Sequence, residues 1–263
     1  MPNLSHTIRR FNRFELKYLL TLQQAEVFKR ALGAYLVPDD NGGAQGSYEL
    51  ASLYYDSPEH RCYWEKVDGI RFRRKLRIRH YASGGPPADD TPVFVEIKQR
   101  LDRVTQKRRA LLPYQAALRL CSQREPPACD PQDQALVDEV CDFCWRYNLQ
   151  PASLVRYKRQ ALIGTQYDIG LRVTFDTQLT YQAHPLSLQA EPAGLPLYPA
   201  SLAVMEIKVN ERIPYWLTEL VAAHNLNLVR ASKYCRSIDL SQPGRGWNEL
   251  SDLRSRGAVH ERS

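Results

Sequence analysis

No stretch of the 263 residues approaches the roughly 18 uninterrupted apolar residues of a membrane helix, which argues against a helical membrane segment. Residues 1–13 lack the apolar core of a secretory signal, so a cytoplasmic protein is expected, with any membrane link left to a separate partner protein. Cysteine is scarce: six residues, at 62, 121, 129, 141, 144 and 235, are too few for a disulfide framework in a chain this long and read as reduced thiols. Cys141 and Cys144 form a C-x-x-C pair, but no second pair completes a zinc site, so both are expected as buried or half-buried helix cysteines. The six histidines fall into no ligand or catalytic spacing, and neither a G-x-x-x-x-G-K-[ST] loop nor a convincing G-x-G-x-x-G turn is present. No zinc-finger, RRM or helix-turn-helix signature accompanies the fifteen tyrosines, so a nucleic-acid partner is not expected.

What the chain does have is ordinary core-forming composition and an excess of cations. Hydrophobic residues make up 43% and charged residues 25%, enough for a full-sized core, and the net charge is +7 with a pI near 9.1. Length and pattern suit one domain over residues 1–242, followed by a flexible tail, 243–263. Leu22, Ala25, Phe28, Leu32 and Tyr35 recur at helical spacing behind a plausible N-cap at Thr21. Residues 113–121, 131–147 and 214–225 are further helix candidates. Strands are expected at 14–18, 48–55, 71–81, 91–99, 104–112, 153–163, 171–176 and 203–210, with a hairpin loop over 82–90 and a mobile loop or lid over 185–199.

The strands repeat a charged signature. Lys75, Arg77 and Arg79 alternate with Leu76 and Ile78, and Val95-Glu96-Ile97-Lys98 follows; later Leu171-Arg172-Val173 is followed by Met205-Glu206-Ile207-Lys208, and Glu15-Leu16-Lys17 gives a third Glu-x-Lys. Residues i and i+2 of a strand share one face, so each set puts its charges on one side. At an effective dielectric of 20, like charges about 7 Å apart repel by roughly 2 kcal/mol, a cost that an anion on that face would offset. The expected architecture is therefore α+β: a closed antiparallel β-barrel with a charged lumen, its apolar exterior covered by helices. Arginine forks and lysine points suit closely spaced phosphates, and glutamates suit the divalent cation bridging them.

The runs Arg13-Phe14-Glu15-Leu16-Lys17-Tyr18, Ser52-Leu53-Tyr54-Tyr55-Asp56-Ser57, Lys75-Leu76-Arg77-Ile78-Arg79, Val95-Glu96-Ile97-Lys98, Leu171-Arg172-Val173-Thr174-Phe175-Asp176, Met205-Glu206-Ile207-Lys208 and Ala231-Ser232-Lys233-Tyr234 resemble, in order, the VTC domain. This is the polyphosphate polymerase domain of the triphosphate tunnel metalloenzyme superfamily. The resemblance implies a tunnel of eight antiparallel strands and transfer of the γ-phosphate of ATP onto a growing polyphosphate chain, with release of ADP and dependence on Mn²⁺ or Mg²⁺. It implies Arg77, Arg79, Arg159 and Arg172 around the transferring phosphoryl group, Lys17, Lys75, Lys98, Lys208 and Lys233 as further substrate-binding cations, and one more from Lys107 or Arg109, whose register is left open. Glu206 is the implied metal ligand, with Glu15 and Glu96 as candidates for metal or for orienting neighbouring cations. The wider superfamily often opens with Glu-x-Glu-x-Lys; here Arg13 stands two residues before Glu15, one acid fewer, which fits the polymerase branch. A tunnel-type triphosphatase or polyphosphatase, and a non-catalytic polyphosphate-binding module, are the alternatives.

Overall fold

A computed structural model describes residues 13–242, except 41, 43–45, 83, 103, 166, 192 and 211; the expected tail, 243–263, lies outside the described residues. Ten strands form one antiparallel sheet: β1 (Arg13–Thr21), β2 (Leu36–Pro38), β3 (Ser47–Asp56), β4 (Phe72–Tyr81), β5 (Pro92–Leu101), β6 (Val104–Pro113), β7 (Gln150–Gly164), β8 (Arg172–Gln182), β9 (Leu195–Pro196) and β10 (Leu202–Asn210). Eight of them run in the order β1-β10-β8-β7-β3-β4-β5-β6, with short β2 on β7 and β9 on β8.

That path has two ends, which corrects the expected closed eight-stranded barrel. Among the described residues β1 pairs with β10 and β6 with β5, but no ladder joins β1 to β6. The physical reason lies at the outer edge of β1. Tyr18 faces Met205 of β10 on one side and bridges Leu228 on the other, while the Val229 N–H donates to the Lys17 carbonyl at 2.8 Å. A strand has only two edges, and this stretch takes part of the one that closure would need. The sheet still curls far enough for side chains to meet across the seam, Lys98 Nζ of β5 lying 2.6 Å from Glu15 Oε2 of β1.

Helices cover the convex side where the alternation leaves it apolar. Thr21 caps α1 (Leu22–Leu32) through a reciprocal pair: its Oγ1 accepts from the Gln24 N–H at 3.1 Å, and its own N–H donates to Gln24 Oε1 at 2.9 Å. Ala25, Phe28 and Leu32 of α1, with Leu217 of α5 (Tyr215–Ala223), pack on Val173, Phe175, Met205 and Ile207. α3 (Tyr114–Leu118) runs into a π-helical turn at Arg119–Gln123, and α4 (Pro131–Tyr147) starts with proline at its first position and stops at Asn148 with φ +49°. Val137, Val140 and Phe143 of α4 close over Leu76, Ile78, Val95 and Ile97. Cys144 is buried and Cys141 half-buried on this helix, and both are free thiols.

Two helices had no counterpart in the sequence reading. α2 (Arg61–Val67) begins at His60 in the left-handed region without a side-chain cap. α6 (Lys233–Ser241) begins at Ser232, whose Oγ accepts from the Cys235 N–H at 3.3 Å. α6 does not join the convex layer: Tyr234 and Ile238 pack with Tyr54, Val155 and Tyr157, partly filling the concave face. The 185–199 loop, expected to be mobile, is pinned by buried Leu188 and Leu197, by the β9 pairing, and by Arg156 Nη2 donating to the Ala190 carbonyl at 2.6 Å.

Candidate functional site: a cationic cavity on the concave face

The register brings the sequence-predicted charges to one face. Lys17 stands opposite Glu206, Glu206 opposite Thr174, Arg159 opposite Asp176, Arg77 opposite Glu96, and Lys98 opposite both Lys75 and Lys107. They surround a cavity of about 790 Å³ whose lining holds thirteen lysines and arginines against four carboxylates, a greater excess of positive charge than the +7 of the whole chain. The remaining charge of the molecule is therefore close to balanced, and the positive potential is concentrated in this hollow.

Four acids organise the cations, Glu206, Glu96 and Asp176 buried and Glu15 half-buried. Glu206 on β10 is 5% exposed and meets Lys208 at 2.9 Å, Lys233 at 3.0 Å, Lys17 at 3.3 Å and Arg159 at 3.9 Å. Glu15 on β1 meets Lys98 at 2.6 Å and Lys17 at 3.5 Å, so the Lys17 ammonium sits between two carboxylates. Glu96 on β5, 1% exposed, meets Arg77 at 2.6 Å, Lys107 at 3.2 Å and Arg79 at 3.8 Å. Asp176 on β8 is fully buried; Arg159 forks onto both its oxygens at 2.6 and 2.7 Å, and Lys233 joins at 2.6 Å.

The electrostatics follow from this packing. Burial alone would raise the Glu206 carboxyl, but Lys17, Lys208 and Lys233 outweigh it and hold it well below the usual carboxylate range. Burial is likewise outweighed at Glu15 by Lys98 and Lys17, and at Glu96 by Arg77 and Arg79. At the lysines the balance differs. Burial would lower Lys17, but Glu206 and Glu15 hold it above its ordinary value. Burial wins at Lys208, pushed down to about 8 against the attraction of Glu206. An arriving polyanion would restore the protons that burial disfavours.

Of the predicted residues, Lys17, Lys75, Arg77, Arg79, Lys98, Arg159, Lys208, Lys233, Glu15 and Glu206 line the cavity. Glu96 and Lys107 are outside that lining: buried Glu96 is joined to it through Arg77 and Arg79, and the exposed Lys107 pairs with Glu96. The open choice between Lys107 and Arg109 divides by contact: Lys107 reaches Glu96, whereas the Arg109 guanidinium lies over the Phe94 ring, 4.3 Å from its centroid. Arg172 is not gathered in; its guanidinium pairs with Asp39 at 2.6 Å and donates to the Tyr48 hydroxyl at 2.9 Å. The sequence reading missed Asp176, although two steps of period-two counting from Arg172 reach it. It also missed the hydroxyls that aim the arginines: Tyr54 accepts from Arg77 at 3.1 Å, and Tyr157 and Ser52 accept from Arg79 at 2.9 and 3.1 Å.

The donor set fits a hard divalent cation. Glu15 and Glu206 already converge on one cation, Lys17. Beside Glu206 in the register, the buried Thr174 Oγ1 has no hydrogen-bond partner. Two carboxylates and a hydroxyl, completed by phosphate oxygens and water, match the way Mg²⁺ and its congeners are held at phosphate sites. Among the described residues no cluster of three or more His, Cys, Asp or Glu side chains forms an all-protein metal cage.

A strongly curved antiparallel sheet with cations and isolated acids on its hollow face defines the triphosphate tunnel class of proteins. The VTC domain profile matches residues 12–241, and the chain belongs to that family. HpAC1 from Hippeastrum, a candidate adenylyl cyclase described as having a dominant triphosphatase activity, superposes with a TM-score of 0.52 at 12% identity, covering 86% of this chain and 95% of its own. A candidate adenylate cyclase from Bacillus halodurans gives a TM-score of 0.47 at 14% identity, over 84% of this chain and 96% of its own. No curated protein matches the sequence. Family and fold make this a triphosphate- or polyphosphate-related enzyme of a type that works with divalent metal ions. Among the described residues no helix is long and apolar enough to cross a membrane.

Proposed function

We propose that the protein is a metal-dependent, cytoplasmic polyphosphate polymerase that transfers the γ-phosphate of ATP to a growing polyphosphate chain and releases ADP. The observation that carries this reading is the length of the cationic track. Arg73, Lys75, Arg77 and Arg79 follow one another on one face of β4, with Arg100 and Lys98 of β5 directly opposite Arg73 and Lys75. The six residue steps from Arg73 to Arg79 span roughly 20 Å, more than the three phosphoryl groups of a nucleotide occupy. Facing like charges have no structural use along such a track, whereas a continuous polyanion would neutralise them.

In this reading Arg77, Arg79 and Arg159, fixed by Glu96, Tyr157 and Asp176, neutralise the transferring phosphoryl group. Lys17, Lys208 and Lys233 hold the adjoining phosphates, and Lys75 and Lys98 hold the chain. A terminal oxygen of the acceptor chain attacks the γ-phosphorus, and the bond from that phosphorus to the oxygen bridging to the β-phosphate breaks, leaving the electron pair on ADP. The acceptor oxygen is already ionised near neutral pH, so no general base is needed. Glu206 and Glu15, with Thr174, would hold the divalent ion, which when bound adds charge neutralisation at the phosphate oxygens.

The test is incubation of the purified protein with ATP and Mn²⁺, with polyphosphate resolved by gel and ADP and free phosphate assayed together. Polymer with matching ADP is the expected result. Free phosphate without polymer would replace the polymerase with a triphosphatase, the activity described for HpAC1. Binding without turnover would leave a polyphosphate-binding module.

A further inference from the structure

Asp176 has so far been given only the part of fixing Arg159, although it holds Lys233 as well. It contacts two cations that Glu206 also contacts, and the distances are unequal. Asp176 holds Arg159 at 2.6 and 2.7 Å and Lys233 at 2.6 Å, whereas Glu206 stands 3.9 Å from Arg159 and 3.0 Å from Lys233. The two-point fork fixes the plane of the guanidinium as well as its position. Lys233, at the start of α6, is the longer reach, spanning from the helix to strands β8 and β10.

We propose that Asp176 is a positioning residue: it anchors Arg159 and Lys233 so that Glu206 is free to turn from these cations to a divalent metal ion. The inference rests on the metal role read for Glu206 above. Without Asp176, Glu206 is the only carboxylate among the described residues that Arg159 and Lys233 contact, and both would settle on it. Glu206 already meets Lys17 and Lys208, so the loss of Asp176 would leave all four cations to it, and a carboxylate so neutralised is a poor ligand for a metal ion. The anion site itself would not be impoverished, because removing Asp176 adds to the net positive charge of the cavity.

The role therefore separates two affinities that a purely structural residue would affect together. The experiment measures Mn²⁺ binding by electron paramagnetic resonance and metal-free inorganic tripolyphosphate binding by calorimetry, on the full chain. Asp176→Asn is expected to weaken Mn²⁺ at least tenfold while tripolyphosphate affinity stays within about threefold of wild type. Asp176→Glu should recover part of the Mn²⁺ affinity. Because the Asn variant leaves two buried cations to share one carboxylate and could fail to fold, the charge-balanced double variant Asp176→Asn/Lys233→Met is measured beside it; removing the competing ammonium should return most of the Mn²⁺ binding. Wild-type Mn²⁺ affinity in Asp176→Asn, an equal loss of both ligands, or no recovery in the double variant would each overturn the positioning role, as would a wild type that binds tripolyphosphate but not Mn²⁺. A wild type that binds neither ligand would instead remove the proposed function itself.

Discussion

Glu15 and Lys98 meet at 2.6 Å across a seam that no strand ladder bridges among the described residues. The same carboxylate lies 3.5 Å from Lys17, so one side chain both ties the two edges of the sheet together and supplies half of the acidic pair facing Lys17. Glu15→Gln should raise the Mn²⁺ concentration needed for half-maximal turnover about tenfold while far-UV circular dichroism stays unchanged. An unaltered Mn²⁺ requirement would take Glu15 out of the site.

Glu96 balances Arg77, Arg79 and Lys107 from a position 1% exposed. Removing one partner of a buried ionic cluster leaves the others uncompensated, at a cost of about 3–5 kcal/mol. Glu96→Ala should show that loss in urea denaturation. By the same argument, the repulsion expected from sequence does not make Arg77→Ala stabilising, since Glu96 would then lose its nearest counterion. Arg77→Ala is predicted to lower both turnover and stability, and a raised melting temperature would refute the pairing.

The arginines should divide by where their guanidinium groups lie. Arg77→Ala and Arg159→Ala are each expected to cost on the order of 10²-fold or more in kcat, as loss of a donor to developing charge does elsewhere. Arg172 is turned toward Asp39 and Tyr48, so Arg172→Ala should cost less than tenfold. Equal losses would mean that Arg172 reaches the substrate.

Lys208 gives the cavity a pH dependence with two opposite signs. Burial pushes this lysine down to about 8, so its charge is lost as pH rises through that value. Tripolyphosphate affinity should fall between pH 7 and pH 9, read by calorimetry. In the empty protein the unfolded chain, with lysine near 10.4, binds the proton that the folded chain has released, so this group makes stability rise between pH 8 and pH 10. Lys208→Met should flatten both trends.

Tripolyphosphate binds only the folded chain in this scheme, so at a hundred times its dissociation constant it should add about 2.7 kcal/mol to stability by mass action. A melting curve with millimolar tripolyphosphate checks this, and no shift would exclude the cavity as an anion site.

Much of the site was legible because strand periodicity is a local property. Lys75, Arg77 and Arg79, Glu96 and Lys98, and Glu206 and Lys208 each announce a shared face within a few residues, and the register then brought those faces together. Arg172 obeyed the same counting yet was drawn away, because Asp39 and Tyr48, more than 120 residues earlier in the chain, offered it partners. Asp176 lay in plain view as an acid one period-two step from Thr174, but nothing in its own strand says that Arg159 stands opposite. Closure failed for a similar reason. Whether β1 meets β6 depends on what else occupies the β1 edge, and Leu228 and Val229 are more than 200 residues away in sequence. α6 was missed because Ser232, Lys233 and Tyr234 were read for their chemistry and not for the cap that Ser232 supplies.

The way the seam is made also bears on the size of the hollow. In a closed barrel the diameter is dictated by strand number and stagger, quantities that change only in discrete steps. Here the outer edge of β1 takes a bridge from Leu228 and a hydrogen bond from Val229, and the meeting of β1 with β5 is left to the Glu15–Lys98 ion pair. Side-chain length at those two positions, a quantity that varies by single methylenes, therefore enters the width of the hollow where a ladder would have fixed it.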